Sequence, residues 1–205
     1  EFKQFVRKNV FGNPAIWVLA IANFFVYIVR YAVLDWGPTL LGEWKGVSIH
    51  HAGWMVAAFE ISGIVGMLVA GWATDRFFGG RGPRVCVICM ALATVFVALF
   101  WGISQPPMWL ATLLLGAAGF CIYGPQALVG IAAANIATKK AAATAVGFTG
   151  LFGYASTLVS GWGLGLLAQH YGWNIAVGAL ILIAIMGTLI FMAAWSAKAN
   201  GYDND

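Results

Sequence analysis

Charged side chains are scarce in this 205-residue sequence: Asp, Glu, Lys and Arg make up 9% of it, whereas 61% of the residues are hydrophobic. An ordinary soluble domain carries about 25% charged residues. So few charges cannot cover the surface of a soluble globule, and lipid is therefore the expected solvent for much of the chain. The net charge of +4 does not indicate nucleic-acid binding, because the basic residues lie in short clusters between apolar runs.

Other missing features exclude further classes of function. There are three cysteines, and Cys86 and Cys89 lie inside an apolar run with no second pair and no nearby His, which indicates small helix residues rather than a metal site. No Ser/His/Asp set, catalytic carboxylate pair or glycine-rich phosphate loop occurs in an accessible loop, so we expect neither an enzyme nor a cofactor. The sequence begins with Glu1 rather than Met, and we expect it to be a fragment of a longer protein.

Long apolar runs take up most of the sequence. A bilayer core about 30 Å thick requires roughly 20 apolar residues per helix. The runs are continuous rather than alternating over ten residues, which favours helices over a transmembrane β-barrel. We therefore predict an all-α membrane protein whose residues 1–205 form one six-helix bundle. The predicted spans are 15–41, 52–77, 85–104, 108–136, 143–168 and 173–196.

Basic residues are distributed unevenly between the two sides of this bundle. Only Lys45 falls on the side opposite the N-terminus. The positive-inside rule then predicts that both termini are cytoplasmic. The basic residues on the N-terminal side are Lys3, Arg7, Lys8, Arg76, Arg81, Arg84, Lys139, Lys140 and Lys198.

Proline and glycine predict local features of the spans. The first span should be kinked or end near Gly37-Pro38, because proline removes a backbone donor and disfavours helix just before it. Small residues recur on one side of two spans, and we expect close helix packing there rather than ligand loops. These residues are Gly63, Gly66 and Ala70 in the second span and Gly147, Gly150 and Gly153 in the fifth.

Three formal charges remain within or near the apolar spans: Arg30, Asp35 and Glu60. Arg30 lies about 22 Å along the helix from residue 15, too deep to reach a headgroup easily. An arginine at the bilayer centre costs at least about 2.5–3.5 kcal/mol, so it should face the bundle interior or a wet cavity. Tyr27, at i−3, shares its face, and a guanidinium with a phenol suits a phosphate or carboxylate.

The partners of Arg30 leave alternatives open. Glu60 either forms a purely structural ion pair with it, or neutralises it only until an anionic ligand takes its place. Asp35 lies about 140° round the helix from Arg30, so the two are not same-face partners. Tyr123 precedes Gly124-Pro125, which should bend or loosen the fourth span, and it either reaches a cavity or packs as an ordinary aromatic.

One loop resembles the cytoplasmic signature of the major facilitator superfamily. The stretch "GWATDRFFGGRGPR" carries the resemblance through Gly71, Asp75, Arg76, Arg81 and Arg84, with looser spacing after Arg76 than is usual. The resemblance implies a conformational role, in which ion pairs of Asp75 with the arginines lock neighbouring helix ends. The alternative is a basic loop that only sets orientation.

Three further stretches, "FVYIVRYAVLDWGPT", "IYGPQALVG" and "KKAAATAVGFTGLFGY", are similar to the C-terminal half of the organophosphate:phosphate antiporters. The similarity covers nearly the whole chain. It implies helices seven to twelve of a twelve-helix major facilitator fold, a missing N-terminal six-helix half, and location in a bacterial inner membrane. It also implies exchange of a phosphorylated metabolite, such as a sugar phosphate or glycerol phosphate, for inorganic phosphate by alternating access.

The same resemblance assigns roles to individual residues. It implies that Arg30 grips the substrate phosphate together with a second arginine in the absent half, and that Tyr27 and Tyr123 line the cavity. Asp35 and Glu60 match acidic positions that pair with basic residues as the site opens and closes.

The sequence departs from the transporters after Glu60, where Ile61 and Val65 replace the usual aromatic residue and proline. This version is closer to the sensory branch, which detects external hexose phosphate and signals to a membrane kinase. A sensor is therefore the alternative to transport. Transport of a carboxylate or sugar acid is a second alternative, and a purely structural role is the weakest.

Overall fold

A computed structural model of the chain describes residues 1–197, and these residues are helical apart from short connections. Lys198, one of the basic residues assigned above to the N-terminal side, lies outside the described residues. Six helical segments are long and apolar enough to cross a membrane by length and composition. The predicted all-α fold with six membrane-crossing helices is thereby confirmed.

The chain begins with a short helix, α1 (Phe2–Val6), and a π-helical turn at Arg7–Phe11. The fifth span, Ala142–Tyr171, consists of α6 (Ala142–Ala155), a π-helical turn (Val159–Gly163) and α7 (Leu164–Tyr171). The other five spans are α2 (Pro14–Lys45), α3 (Ile49–Phe77), α4 (Gly82–Gly102), α5 (Met108–Ala137) and α8 (Trp173–Met192).

The first span is longer than its apolar run, because α2 continues through Gly37-Pro38 instead of ending there. Asn13 caps its start by accepting a hydrogen bond from the backbone N–H of Ala15, and Pro14 occupies the first helical position, where its missing donor is harmless. Gly46, with φ +69°, ends the helix in the left-handed conformation that glycine adopts readily. Likewise, α5 runs through Gly124-Pro125 without interruption.

The fifth span is interrupted by a π-helical turn that the sequence did not predict. Such turns displace backbone groups from the regular helical hydrogen bonds. The indole Nε1 of Trp36 in α2 donates to the carbonyls of Ser160 and Gly161 at 3.0 and 3.1 Å. Gly165 packs against the same indole, where a Cβ would lie 2.7 Å from the ring. The turn is therefore held by α2.

Buried residues form two clusters, one nearer each end of the bundle. The cluster nearer the chain termini includes Val29 and Ile122, and the other includes Ala32 and Tyr123. Val29 and Ala32 lie on either side of Arg30 in α2, and Ile122 and Tyr123 are neighbours in α5. The two clusters therefore meet at the level of Arg30. This level is where the polar residues of the spans come together.

Helices α3 and α5 pack closely through glycines on both sides. A Cβ on Gly66 would overlap with the backbone carbonyl of Phe120, and one on Gly119 would overlap with that of Phe59. A Cβ on Gly63 would overlap with the ring of Tyr123. The prediction of close packing is confirmed for the glycines of the second span.

Among residues 1–197, the same prediction is confirmed at one of the three glycines in the fifth span. Only Gly153 meets a neighbour, with a Cβ position 2.9 Å from the Asn23 amide, whereas Gly147 and Gly150 have no described atom within 4 Å of theirs. The regular spacing of these glycines gave no information on which of them face another helix.

Replacing Gly66 by alanine should destabilise the bundle, because the added methyl group would meet the rigid backbone of α5. We expect a loss of about 1–3 kcal/mol, typical of overpacking. Thermal unfolding of the full-length protein in detergent micelles measures the change. Gly53→Ala is the matched control on the same helix, because no atom lies within 4 Å of its Cβ position. Equal unfolding midpoints for the two variants would contradict the close contact.

Candidate ligand-binding site

Two charged side chains of the spans, Arg30 in α2 and Glu60 in α3, approach each other. Arg30 Nη2 lies 3.8 Å from Glu60 Oε2, and the side chains are 17% and 30% exposed. This distance is too long for a hydrogen bond, so the two groups share charge attraction without the directional contacts of a closed ion pair. The two side chains are therefore attracted by charge, but no hydrogen bond joins them.

Aromatic rings cover the guanidinium of Arg30. Its Cζ lies 4.6 Å from the centroid of Tyr123 in α5 and 5.2 Å from that of Tyr31 in α2. Both distances are within the range of cation–π attraction. Tyr123 is itself buried, and it reaches this position because Gly63 of α3 has no side chain in its way. The rings therefore stabilise the positive charge through their faces.

Three polar atoms at this point are buried and make no hydrogen bond with any described residue: Arg30 Nε, Glu60 Oε1 and the Tyr123 hydroxyl. A buried polar group without a partner costs about 1–3 kcal/mol. The three atoms belong to three different helices that contact one another. Two of them are donors and one is an acceptor, so a small polar molecule that bonds to them would remove this cost.

Tyr27 lies one helical turn from Arg30 toward the start of α2. Its ring packs against Tyr31 at 5.6 Å and Tyr154 of α6 at 5.8 Å between centroids. Its hydroxyl lies beside the amide of Gln126 in α5. Four of the residues singled out in the sequence, Arg30, Tyr27, Tyr123 and Glu60, are thus brought together.

Asp35 does not join this cluster. Its side chain is exposed, and it forms no ion pair or hydrogen bond with another residue of the described range. Its role in charge pairing therefore stays a prediction.

The loop motif lies away from the cluster, at the junction of α3 and α4. Asp75 and Arg76 are exposed there, and Gly71 lines a small cavity beside Asp75. Arg84 Nε donates to the carbonyl of Trp195 at 3.1 Å, and its guanidinium stacks on that indole at 5.2 Å. Asp75 forms no ion pair within residues 1–197, so the expected lock between Asp75 and the arginines, Arg81 included, is not found there.

Sequence reasoning missed three residues in or beside the site. Gln126 is three residues after Tyr123 and therefore on the same face of α5, a spacing that was sufficient to find it. Asn23, one turn before Tyr27, donates from Nδ2 to the carbonyl of Thr149 at 3.0 Å and ties α2 to α6. Tyr31 is four residues after Tyr27, so the same kind of spacing was sufficient to find it.

Comparison with known protein families shows to which superfamily the chain belongs. The model of the Major Facilitator Superfamily matches residues 19–201. The chain belongs to the Major Facilitator Superfamily. It is therefore an integral membrane protein of that superfamily, and the resemblance carried by the loop around Asp75 is confirmed.

Similar proteins narrow the group within the superfamily. The chain is 40% identical to a "Probable hexose phosphate transport protein" of Chlamydia pneumoniae, over 95% of this chain and 43% of that protein. It is 36% identical to the "Glycerol-3-phosphate transporter" of Haemophilus influenzae, over 96% of this chain and 45% of that protein. The similarity to the organophosphate antiporter family is thereby confirmed. The chain spans less than half the length of these relatives, as one half of a two-bundle protein would.

Two further relatives bear the names of the two functions considered above, transport and sensing. The "Hexose-6-phosphate:phosphate antiporter" of Escherichia coli is 34% identical over 93% of the chain and 42% of that protein. The "Membrane sensor protein UhpC" of Salmonella typhimurium is 34% identical over 96% of the chain and 45% of that protein. The relatives named here are transporters and a sensor rather than enzymes.

Proposed function

We propose that this chain is one half of a secondary transporter that exchanges an organophosphate for inorganic phosphate by alternating access. The organophosphate is a sugar phosphate or glycerol phosphate. The missing partner is a second six-helix half, and the location is a bacterial plasma membrane. The names of the relatives support the substrate class, and the arrangement around Arg30 supports its mode of binding.

The observation that carries this proposal is the unsatisfied guanidinium of Arg30. Among residues 1–197, its Nε is buried without a hydrogen-bond partner, and its one ion-pair partner is a carboxylate 3.8 Å away. A phosphoryl group presents several oxygens that match the planar fork of arginine. Arg30 therefore binds the phosphoryl group, while the neighbouring Tyr123 hydroxyl donates a hydrogen bond to the ligand.

Glu60 gives this site its exchange behaviour. It neutralises Arg30 when no ligand is present, so that the buried charge is never left alone. A phosphate dianion displaces it, because the dianion offers more charge and better hydrogen-bond geometry than the carboxylate does. Inorganic phosphate and an organophosphate share the group that is recognised, and each therefore replaces the other at Arg30.

Alternating access requires the second half to rock against this one around the site. The tightly packed pair α3–α5 moves as a unit with Glu60 and Tyr123 on it. Asp35, Gly147 and Gly150 present surfaces without partners among residues 1–197, and these surfaces are available to the other half. Asp35 is then free to pair with a basic residue there.

The excess of basic residues on one side supports an orientation with both termini in the cytoplasm. A single cysteine introduced at Gln105 in the α4–α5 connection should then react with a membrane-impermeant thiol reagent in intact cells, whereas one at Arg81 should not. The native cysteines are replaced first. The opposite labelling pattern would reverse the proposed orientation.

A sensor is the second candidate, favoured by the similarity to membrane sensor proteins and by Ile61 and Val65 after Glu60. The Arg30 site serves binding in either case, since a receptor also needs to recognise the phosphoryl group. The two functions differ in turnover: a transporter carries the bound phosphate across the membrane, and a sensor retains it on one side.

Counterflow in vesicles tests the binding role of Arg30 and separates these candidates. Full-length protein in vesicles loaded with inorganic phosphate should take up radiolabelled phosphate. Arg30→Lys should lower the apparent affinity by about 10- to 100-fold, because charged hydrogen bonds of the planar fork contribute about 1.5–3 kcal/mol.

The control for this experiment is Arg7→Lys, which makes the same change at an exposed position outside the site. Near-normal affinity in Arg30→Lys would overturn the assignment of Arg30. Phosphate binding without counterflow in the unmodified protein would identify a sensor instead of a transporter.

A further inference from the structure

Gln126 lies beside the proposed phosphoryl site. The exchange reaction does not explain why a glutamine is there. It follows Tyr123 by three residues on α5, and its amide lies beside the hydroxyl of Tyr27. Its Oε1 is buried, and no described residue donates a hydrogen bond to it. An uncharged side chain with an unused acceptor thus lies beside Tyr27, one helical turn from Arg30.

The position of Gln126 relative to Arg30 follows from the topology. The first and fourth spans run in opposite directions through the bundle. Moving three residues back along α2, from Arg30 to Tyr27, and three residues forward along α5, from Tyr123 to Gln126, therefore shifts both positions in the same direction. The shift is about 4.5 Å along the bundle axis. Tyr27 and Gln126 form a second layer directly beside the layer of Arg30 and Tyr123.

The chemistry of the unused atoms differs between these layers. A phosphoryl dianion only accepts hydrogen bonds, so it matches Arg30 Nε and the Tyr123 hydroxyl but repels the carbonyl-type oxygen of Gln126. A hydroxyl group donates a hydrogen bond and satisfies that oxygen. A ligand that fills both layers therefore carries a phosphoryl group at one end and a hydroxyl group a few carbons away.

We propose that Gln126 is a specificity-determining residue, which accepts a hydrogen bond from a hydroxyl on the organic part of the ligand while Arg30 holds the phosphoryl group. The inference rests on the proposed function and adds to it the residue that distinguishes hydroxylated organophosphates from other phosphates. Tyr27, beside the same amide, keeps Gln126 in place as a positioning residue.

Asn23 provides the contrast that favours this role over simple packing. It is also an amide with an unused oxygen, but it is 3% exposed, and its Nδ2 bonds to the backbone of α6. That arrangement joins two helices and leaves no room for a ligand. Gln126 is only half-buried and makes no hydrogen bond to any backbone within residues 1–197. Its side chain is therefore partly accessible, in contrast to that of Asn23.

Competition binding tests the inference. Radiolabelled inorganic phosphate is bound to the full-length protein and displaced by glycerol 3-phosphate, glucose 6-phosphate or n-propyl phosphate, which has no hydroxyl on its carbons. Gln126→Met removes the acceptor with little change in volume. It should weaken both hydroxylated phosphates by about 3- to 10-fold relative to n-propyl phosphate, as expected for one neutral hydrogen bond.

Two other variants complete the experiment. Gln169→Met makes the same change at an exposed position of α7, and its affinities should equal those of the unmodified protein. Gln126→Glu retains an acceptor oxygen, so it should preserve the preference for hydroxylated ligands even though its negative charge weakens all three phosphates. This variant separates loss of the hydrogen bond from disturbance of the fold.

The outcomes separate this inference from the proposed function. If Gln126→Met affects n-propyl phosphate as strongly as the hydroxylated ligands, or affects none of them, the assignment of Gln126 is overturned while the Arg30 site stands. If the unmodified protein binds none of the phosphates, the proposed function is overturned, and the inference with it.

Discussion

Arg30 and Glu60 face each other at 3.8 Å between two membrane-crossing helices, each with a buried atom that bonds to nothing in the described chain. A charge in the hydrocarbon region needs compensation, yet complete compensation by Glu60 would leave nothing for a ligand. The structure meets both requirements with aromatic rings. Tyr123 and Tyr31 stabilise the cation through their faces, and its buried Nε makes no hydrogen bond with a described residue.

This arrangement depends on close packing between α3 and α5. Glycines at 63, 66 and 119 let the two backbones approach until Glu60 and the Tyr123 ring flank the same guanidinium. The fifth span is joined to α2 by hydrogen bonds instead, since Trp36 of α2 donates to carbonyls of its π-helical turn. The site therefore lies on a rigid helix pair, and its neighbour in the fifth span contains a local break in helical hydrogen bonding.

Composition and the position of a few residues predicted much of this. Long apolar runs specify six spans, because lipid allows little else, and a buried arginine with a tyrosine three residues away specifies a polar face. The remainder depended on contacts between helices. Neither the continuation of α2 through Pro38 nor the open surroundings of Gly147 follows from local sequence. That Asp75 forms no ion pair within residues 1–197 could not be predicted either, because ion pairs depend on which helix ends meet.

The account turns on a phosphoryl group replacing Glu60 at Arg30. Infrared difference spectroscopy on the full-length protein, with and without inorganic phosphate, observes this carboxylate directly. We expect phosphate to shift the carboxylate stretching band of Glu60, a change that is absent in Glu60→Gln and in Arg30→Leu. A Glu60 band that stays unchanged while phosphate binds would contradict the account, because the ligand would then be held without displacing the carboxylate.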